Sequence, residues 1–292
     1  MSRETELTVP DLPRNGRLAG RTAIVTGAGS SGALAGTGAA MAILFASEGA
    51  QVLIVDVERA RAEHTLRAVR AVGGTADLAV ADITDPAMCQ RAADLALERF
   101  GSVDILVNNA AIAPDERANT DELWQRVVDI NLRGAKLMCD AAIPHMRSAG
   151  GGSIVMIGSI AGMRGGGGIA YSAAKAGMVG MAKAMAFTYG RDGIRANTVA
   201  PGHVAIPMGL GYSGGGWDGE VNAREMRAQA GLTGTEGSGW DVAYTALFFA
   251  SDESRYVTAA TIAVDAGTTE VMPIVMHPYL AGSVGPGNGH SA

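Results

Sequence analysis

Cysteine is scarce in this chain of 292 residues: Cys89 and Cys139 are the whole supply, 50 positions apart, with no CxxC and no clustered histidines. That spacing signals neither a disulfide framework nor a metal site. It reads as two buried thiols in a reducing cytoplasm. A basic block is missing as well. Lys and Arg number 23 against 29 Asp and Glu, a net charge of -6, so nothing is set up to neutralise a phosphate backbone and nucleic acid is not an expected partner. No apolar run reaches the roughly 18 residues of a membrane span. The N-terminal twenty residues carry charges where a signal peptide needs an apolar stretch, so a soluble cytoplasmic protein with no membrane partner is expected. What the chain has in quantity is apolar residues, 48%, enough for one large core, and 41 glycines gathered in a few places.

Short β-branched runs recur at Thr22–Thr26, Gln51–Asp56, Ala76–Ala81, Val103–Val107, Ser153–Ile157, Ile194–Val199 and Thr261–Val264. Helical spacing fills the gaps, at Ala39–Ser47, Arg59–Val72, Pro86–Phe100, Asp121–Arg147, Tyr171–Tyr189 and Trp240–Ala250. Near-continuous apolar strands separated by crossover helices predict an α/β fold: a single-domain, doubly wound (Rossmann) parallel sheet with helices on both faces. The predicted organisation is a polar leader over 1–20, the domain over 21–269 with a glycine-rich insertion at 209–239, and a Gly/Pro-rich tail over 270–292.

A glycine-rich turn after the first strand lets backbone N–H groups and a helix N-terminus face a pyrophosphate. Gly27, Gly29 and Gly32 match GxGxxG literally. A helix starting at Ala33 would bury Gly36 and Gly38 in its interior, at about 1 kcal/mol each relative to alanine. The better register starts the helix near Gly38 and leaves Gly27–Thr37 as an enlarged loop. Asp56 closes the second strand twenty positions after Gly36, where an acid would hold the adenosine ribose hydroxyls and repel a 2'-phosphate, so NAD is favoured over NADP.

In Tyr171-Ser-Ala-Ala-Lys175 the spacing of four puts phenol and ammonium on one helix face, and a cation beside a phenol lowers its pKa from about 10. Tyr171 is thereby a candidate acid/base. Ser159 ends the strand twelve residues earlier, at the carboxyl edge of the sheet where such folds bind ligands, with a hydroxyl suited to polarising a carbonyl. Asn108 and Asn109 end the preceding strand. Asn131, disfavoured inside a helix, needs partners for its amide, and a water linked to Lys175 is one use.

With these motifs in this order, residues 21–268 resemble a short-chain dehydrogenase/reductase. The resemblance implies a nucleotide turn at Thr26, Gly27, Gly36 and Gly38, an adenine-ring acid at Asp82 followed by Ile83, and an Asn-Asn-Ala contact at Asn108, Asn109 and Ala110. It implies a catalytic set of Asn131, Ser159, Tyr171 and Lys175, with Tyr171 and Lys175 also touching the nicotinamide ribose. Pro201 and Gly202 would open the stretch passing the nicotinamide, with Val204 as a backbone contact. Three departures stand out: the Gly27–Gly36 loop is five residues longer than the family's TGxxxGxG, Ala111 replaces a common Gly, and Ile206 replaces a common threonine.

The implied activity is hydride transfer between NAD and a secondary alcohol or ketone, in a homotetramer assembled through the helices beginning near Asp121 and Tyr171. By the same analogy 209–239 would be a lid, and its Tyr212, Trp217 and Met226, with only Arg224 and Arg227 as cations, favour an apolar or cyclic alcohol. A 3-oxoacyl thioester reductase and a non-catalytic NAD(H)-binding regulator are the alternatives.

Overall fold

The computed structural model describes residues 5–114, 120–208 and 220–271. Seven parallel strands run in the order β3 (Thr75–Val80), β2 (Gln51–Asp56), β1 (Thr22–Thr26), β4 (Ile105–Asn108), β5 (Gly152–Ile157), β6 (Ile194–Pro201) and β9 (Thr261–Val264). Every residue of β1 and β4 is buried, which is why these strands read as continuous apolar runs rather than as alternation. The chain goes outward from β1 to β3, then returns to lay β4 against the other side of β1. At that reversal the crossovers diverge and leave a crevice beyond the carboxyl ends of β1 and β4.

Helices α1 (Thr37–Ser47), α2 (Arg59–Ala71) and α8 (Gly239–Ala250) cover one face. Helices α3 (Pro86–Phe100), α5 (Gly134–Ser148) and α6 (Ile169–Tyr189) cover the other. Helix α1 packs on the sheet between α2 and α8 and is buried from Gly38 to Ala46, so it carries apolar residues all round instead of a stripe. Between α4 (Asp121–Val128) and α5, residues Asp129–Arg133 form a π turn; the helix predicted as one piece over Asp121–Arg147 therefore has a wider turn at Asn131.

The 209–239 insertion is partly regular. It contains α7 (Glu220–Ala230), and its end, β8 (Gly237–Ser238), pairs in parallel with β7 (Val204–Ala205). Tyr212, Trp217 and the tail beyond Val271 lie outside the described residues. The leader runs along the α1–α2 face: Leu7, Val9 and Leu12 pack on the core and Leu18 is fully inside it. Its root is held by the buried Glu48, whose Oε2 accepts the N–H groups of Asn15 and Arg17 at 3.0 and 3.1 Å.

Candidate active site

A cleft of about 2190 Å³ crosses the carboxyl edge of the sheet. Gly27, Gly36, Gly38, Asp56, Asp82, Ile83, Asn109 and Ala110 line one part of it, and Ser159, Tyr171, Lys175, Pro201, Gly202 and Val204 another. Thr26, Asn108 and Asn131, also singled out in the sequence, are buried and do not line it.

The glycine end is built by close approach. Gly27 has φ +60°, and a Cβ on it would lie 2.6 Å from Ala110 Cα; one on Gly38 would lie 2.5 Å from Asn109 Nδ2. Asn109 explains the second contact. Its Nδ2 donates to the carbonyls of Thr26 and Gly27, both at 2.9 Å, and its Oδ1 accepts from Thr37 Oγ1 at 2.6 Å, so one amide ties the tip of β4 to β1 and to the start of α1. Thr26 Oγ1 takes the N–H groups of Asn109 and Ala110. Helix α1 then begins with no acidic residue in its first turn and no side-chain cap on its Gly36 end, which leaves donor groups and the positive end of the helix for an anion. A pyrophosphate fits this cradle.

At the tip of β2, Asp56 Oδ2 accepts the Gly29 N–H at 2.8 Å and Oδ1 accepts the Glu58 N–H at 3.0 Å, so the carboxylate is oriented by the enlarged loop itself. Asp82 Oδ1 binds the N–H and the hydroxyl of Thr84, both at 2.8 Å. Val204 N–H already meets the Gly202 carbonyl at 3.0 Å.

In the other part of the cleft, α6 begins at Ile169 and carries Tyr171 and Lys175 one turn apart. Lys175 is 2% exposed; its Nζ donates to Ile157 O at 2.7 Å, sits 3.7 Å from Met178 Sδ and lies 5.6 Å from the centre of the Tyr171 ring. Burial without a carboxylate pushes its pKa down to about 7, because a low-dielectric site penalises the charged form. An ammonium held this way gains from a negative charge beside it, and a phenolate on Tyr171 would supply one. Ser159 closes this wall. Its Oγ accepts the Ala161 N–H at 3.1 Å, a bond that uses a lone pair and leaves the hydroxyl proton uncommitted.

Asn131 is completely buried, and its amide pairs with one residue: Oδ1 accepts Ile112 N–H and Nδ2 donates to Ile112 O, both at 2.8 Å. The side chain is thus a clamp on the loop after β4, with one N–H and one lone pair of the amide beyond these two bonds. Sequence reasoning also passed over Arg164, Thr268, Thr269 and Glu270, which line the same cleft. Arg164 donates twice to the Thr269 carbonyl, a contact across 105 positions that no local motif announces.

A family model described as enoyl-(acyl carrier protein) reductase matches residues 32–269. A putative short-chain dehydrogenase/reductase from Burkholderia xenovorans, known from its crystal structure, is 41% identical, with 88% of this chain and 99% of that one covered and a TM-score of 0.82. The chain belongs to the short-chain dehydrogenase/reductase family. It is an oxidoreductase of the kind that uses a nicotinamide dinucleotide. A cis-4-hydroxycyclohexanecarboxylate dehydrogenase of Sinomonas cyclohexanicum is 39% identical over 86% of this chain and 97% of its own length. A 7α-hydroxysteroid dehydrogenase solved with NADH and 7-oxo glycochenodeoxycholic acid is 29% identical, over 87% of this chain and 96% of that one, with a TM-score of 0.78. Among the described residues, no helix is long and apolar enough to cross a membrane.

Proposed function

We propose that this enzyme interconverts a secondary alcohol and a ketone with NAD, on an apolar or cyclic substrate. The observation that carries the reading is the buried Lys175, held in one wall with Tyr171 and Ser159 at the substrate part of a cleft whose other end is a glycine cradle. When bound, the nicotinamide supplies the carbon that exchanges hydride with the substrate. The protein's part is position and proton handling. Ser159 Oγ–H donates to the substrate oxygen. Tyr171 takes the alcohol proton in oxidation and returns it in reduction. Lys175 stabilises the phenolate and, as the resemblance implies, reaches the nicotinamide ribose; Asn131 fixes the loop that closes the cleft beside them.

Asp56 supports NAD over NADP: its carboxylate, held by Gly29 and Glu58, would face a 2'-phosphate with like charge. A cyclic substrate is supported by the relatives named for a hydroxycyclohexane acid and a hydroxysteroid. A carrier-bound acyl thioester calls for a basic mouth, whereas Arg126 and Arg133 at the cleft are offset by Asp121, Glu122 and Asp129. The segment with α7 acts as the substrate-side cover, and Arg227 and Ala230 of that helix line the cleft. Assembly through α4 and α6 belongs to the same reading, since Trp124 and Phe187 stay exposed on the single chain.

The test is Tyr171→Phe against a panel of cyclic alcohols and ketones with NAD and NADP. Turnover should collapse while NADH binding persists. A variant keeping more than about a tenth of the wild-type rate removes Tyr171 from the chemistry, and a wild-type protein that binds NADH but turns over nothing favours the regulator.

A further inference from the structure

We propose that the N-terminal segment from Thr5 to Leu18 is a functional part of the dinucleotide site, a strap that holds the enlarged glycine loop, and through it Asp56, in the binding geometry. This rests on the cofactor reading above. The strap does not line the cleft; Gly29, Ser30 and Ser31 of the loop do, beside Asp56. It acts through backbone.

The loop from Gly27 to Gly36 has no regular structure and five residues more than the family pattern, so it has more conformations to lose when a ligand binds. Its first limb is tied to β2 and α2: Ala28 N–H to Val55 O, Gly29 N–H to Asp56 Oδ2, Ser30 N–H to Arg61 O, and Ala28 O from Thr65 Oγ1. Its second limb meets the strap, where Thr8 N–H donates to Ala33 O at 2.8 Å. Leu7 and Val9, on either side of Thr8, pack on the core and set that donor in place.

Two further contacts hold the strap down. His64, 8% exposed on α2, lies with Nε2 3.0 Å from Thr5 O. A carbonyl only accepts, so Nε2 carries the proton, and the buried Nδ1 is left without a partner. Its neighbour Thr65 holds the loop at Ala28, so α2 grips strap and loop at adjacent positions. Glu48 grips the strap's root at Asn15 and Arg17. Together these contacts order the adenosine end before the cofactor arrives, which lowers the cost of binding there and leaves the chemistry at Tyr171 untouched.

The experiment compares the full chain with Thr8→Pro, which deletes the N–H donated to Ala33, and with a variant lacking residues 2–9. NADH affinity is read by fluorescence titration, AMP affinity by competition, loop order by hydrogen exchange of residues 27–36, and kcat at saturating NADH. Expected are about fivefold or weaker binding of both NADH and AMP, faster exchange in the loop, and kcat within about twofold of the full chain. Equal affinities in a folded variant, or a fall in kcat with affinities unchanged, overturn the strap. Should the deletion fail to fold, Thr8→Pro decides. If the full chain itself binds no NADH, the cofactor reading falls and the strap with it; if it binds and the variants match it, only the strap falls.

Discussion

Replacing Lys175 with Met should stabilise the cofactor-free protein and erase one component of its pH dependence. The side chain is 2% exposed, its ammonium has a carbonyl and a thioether for company, and burial lowers its pKa from 10.5 to about 7. Between those values the unfolded chain holds a proton at this position that the folded chain releases. Stability therefore rises with pH across that interval, at about 1.4 kcal/mol per unit from this group alone. The full interval bounds the penalty on the charged form at roughly 5 kcal/mol, reached below the folded value. Cys89 and Cys139 act in the opposite sense. Burial raises them to about 11 and about 12, so their contribution is intact below 9.0, the ordinary thiol value, and is lost as pH climbs through the raised values. Urea unfolding at pH 7.5, 8.0 and 8.5 thus isolates the lysine. The wild type should gain about 1.4 kcal/mol over that unit, and Lys175→Met should lack the gain and be the more stable protein at pH 7.5. Catalysis should be lost in the same variant. Parallel pH slopes, or a Met variant less stable at pH 7.5, would show that the ammonium is compensated in a way the geometry does not contain.

Asn131→Ala takes the side-chain partner from the part-buried N–H and C=O of Ile112, at about 1 kcal/mol or more each, so urea unfolding should register a loss of about 2–3 kcal/mol. A loss under about 1 kcal/mol would mean that the loop after β4 is not clamped by this amide. Gly29→Ala places a Cβ 2.5 Å from Asp56 Oδ2 and 2.7 Å from Arg61 Cβ. It should weaken NADH binding by about tenfold in titration while leaving the melting temperature near wild type, and unchanged binding would detach Asp56 from the cofactor. Asn108→Leu is the contrasting case. That amide reaches only Cys139 Sγ and Met156 Sδ and leaves a buried Oδ1 unpaired, so an apolar replacement should fall within about 1 kcal/mol of wild type by denaturant unfolding.

The contrast between Asn108 and Asn109 shows where reading a sequence stops. Both stood out as polar residues ending a buried strand, yet neither composition nor spacing says that one amide joins β1, β4 and α1 while its neighbour faces two sulfurs from α5 and β5. The strands were legible because a parallel sheet covered on both faces demands continuous apolar runs, and the glycine loop because glycines sit poorly inside a helix; the observed helix starts at Thr37, with Gly36 as its N-cap and Gly38 inside its first turn. Tyr171 and Lys175 were legible as neighbours because helical geometry alone brings positions four apart together. The exclusion of water from Lys175 was not, since it depends on Ile157, Met178 and the folded sheet around them, and it is this exclusion that makes the ammonium need a counter-charge. The π turn at Asp129–Arg133 contains no Gly or Pro to announce it. Its one trace was an asparagine where a helix does not favour one, and the reason for that asparagine is Ile112, nineteen residues back and on another element. Local physics placed the elements and the chemistry-bearing residues, whereas the states of those residues come from contacts between elements far apart in the chain.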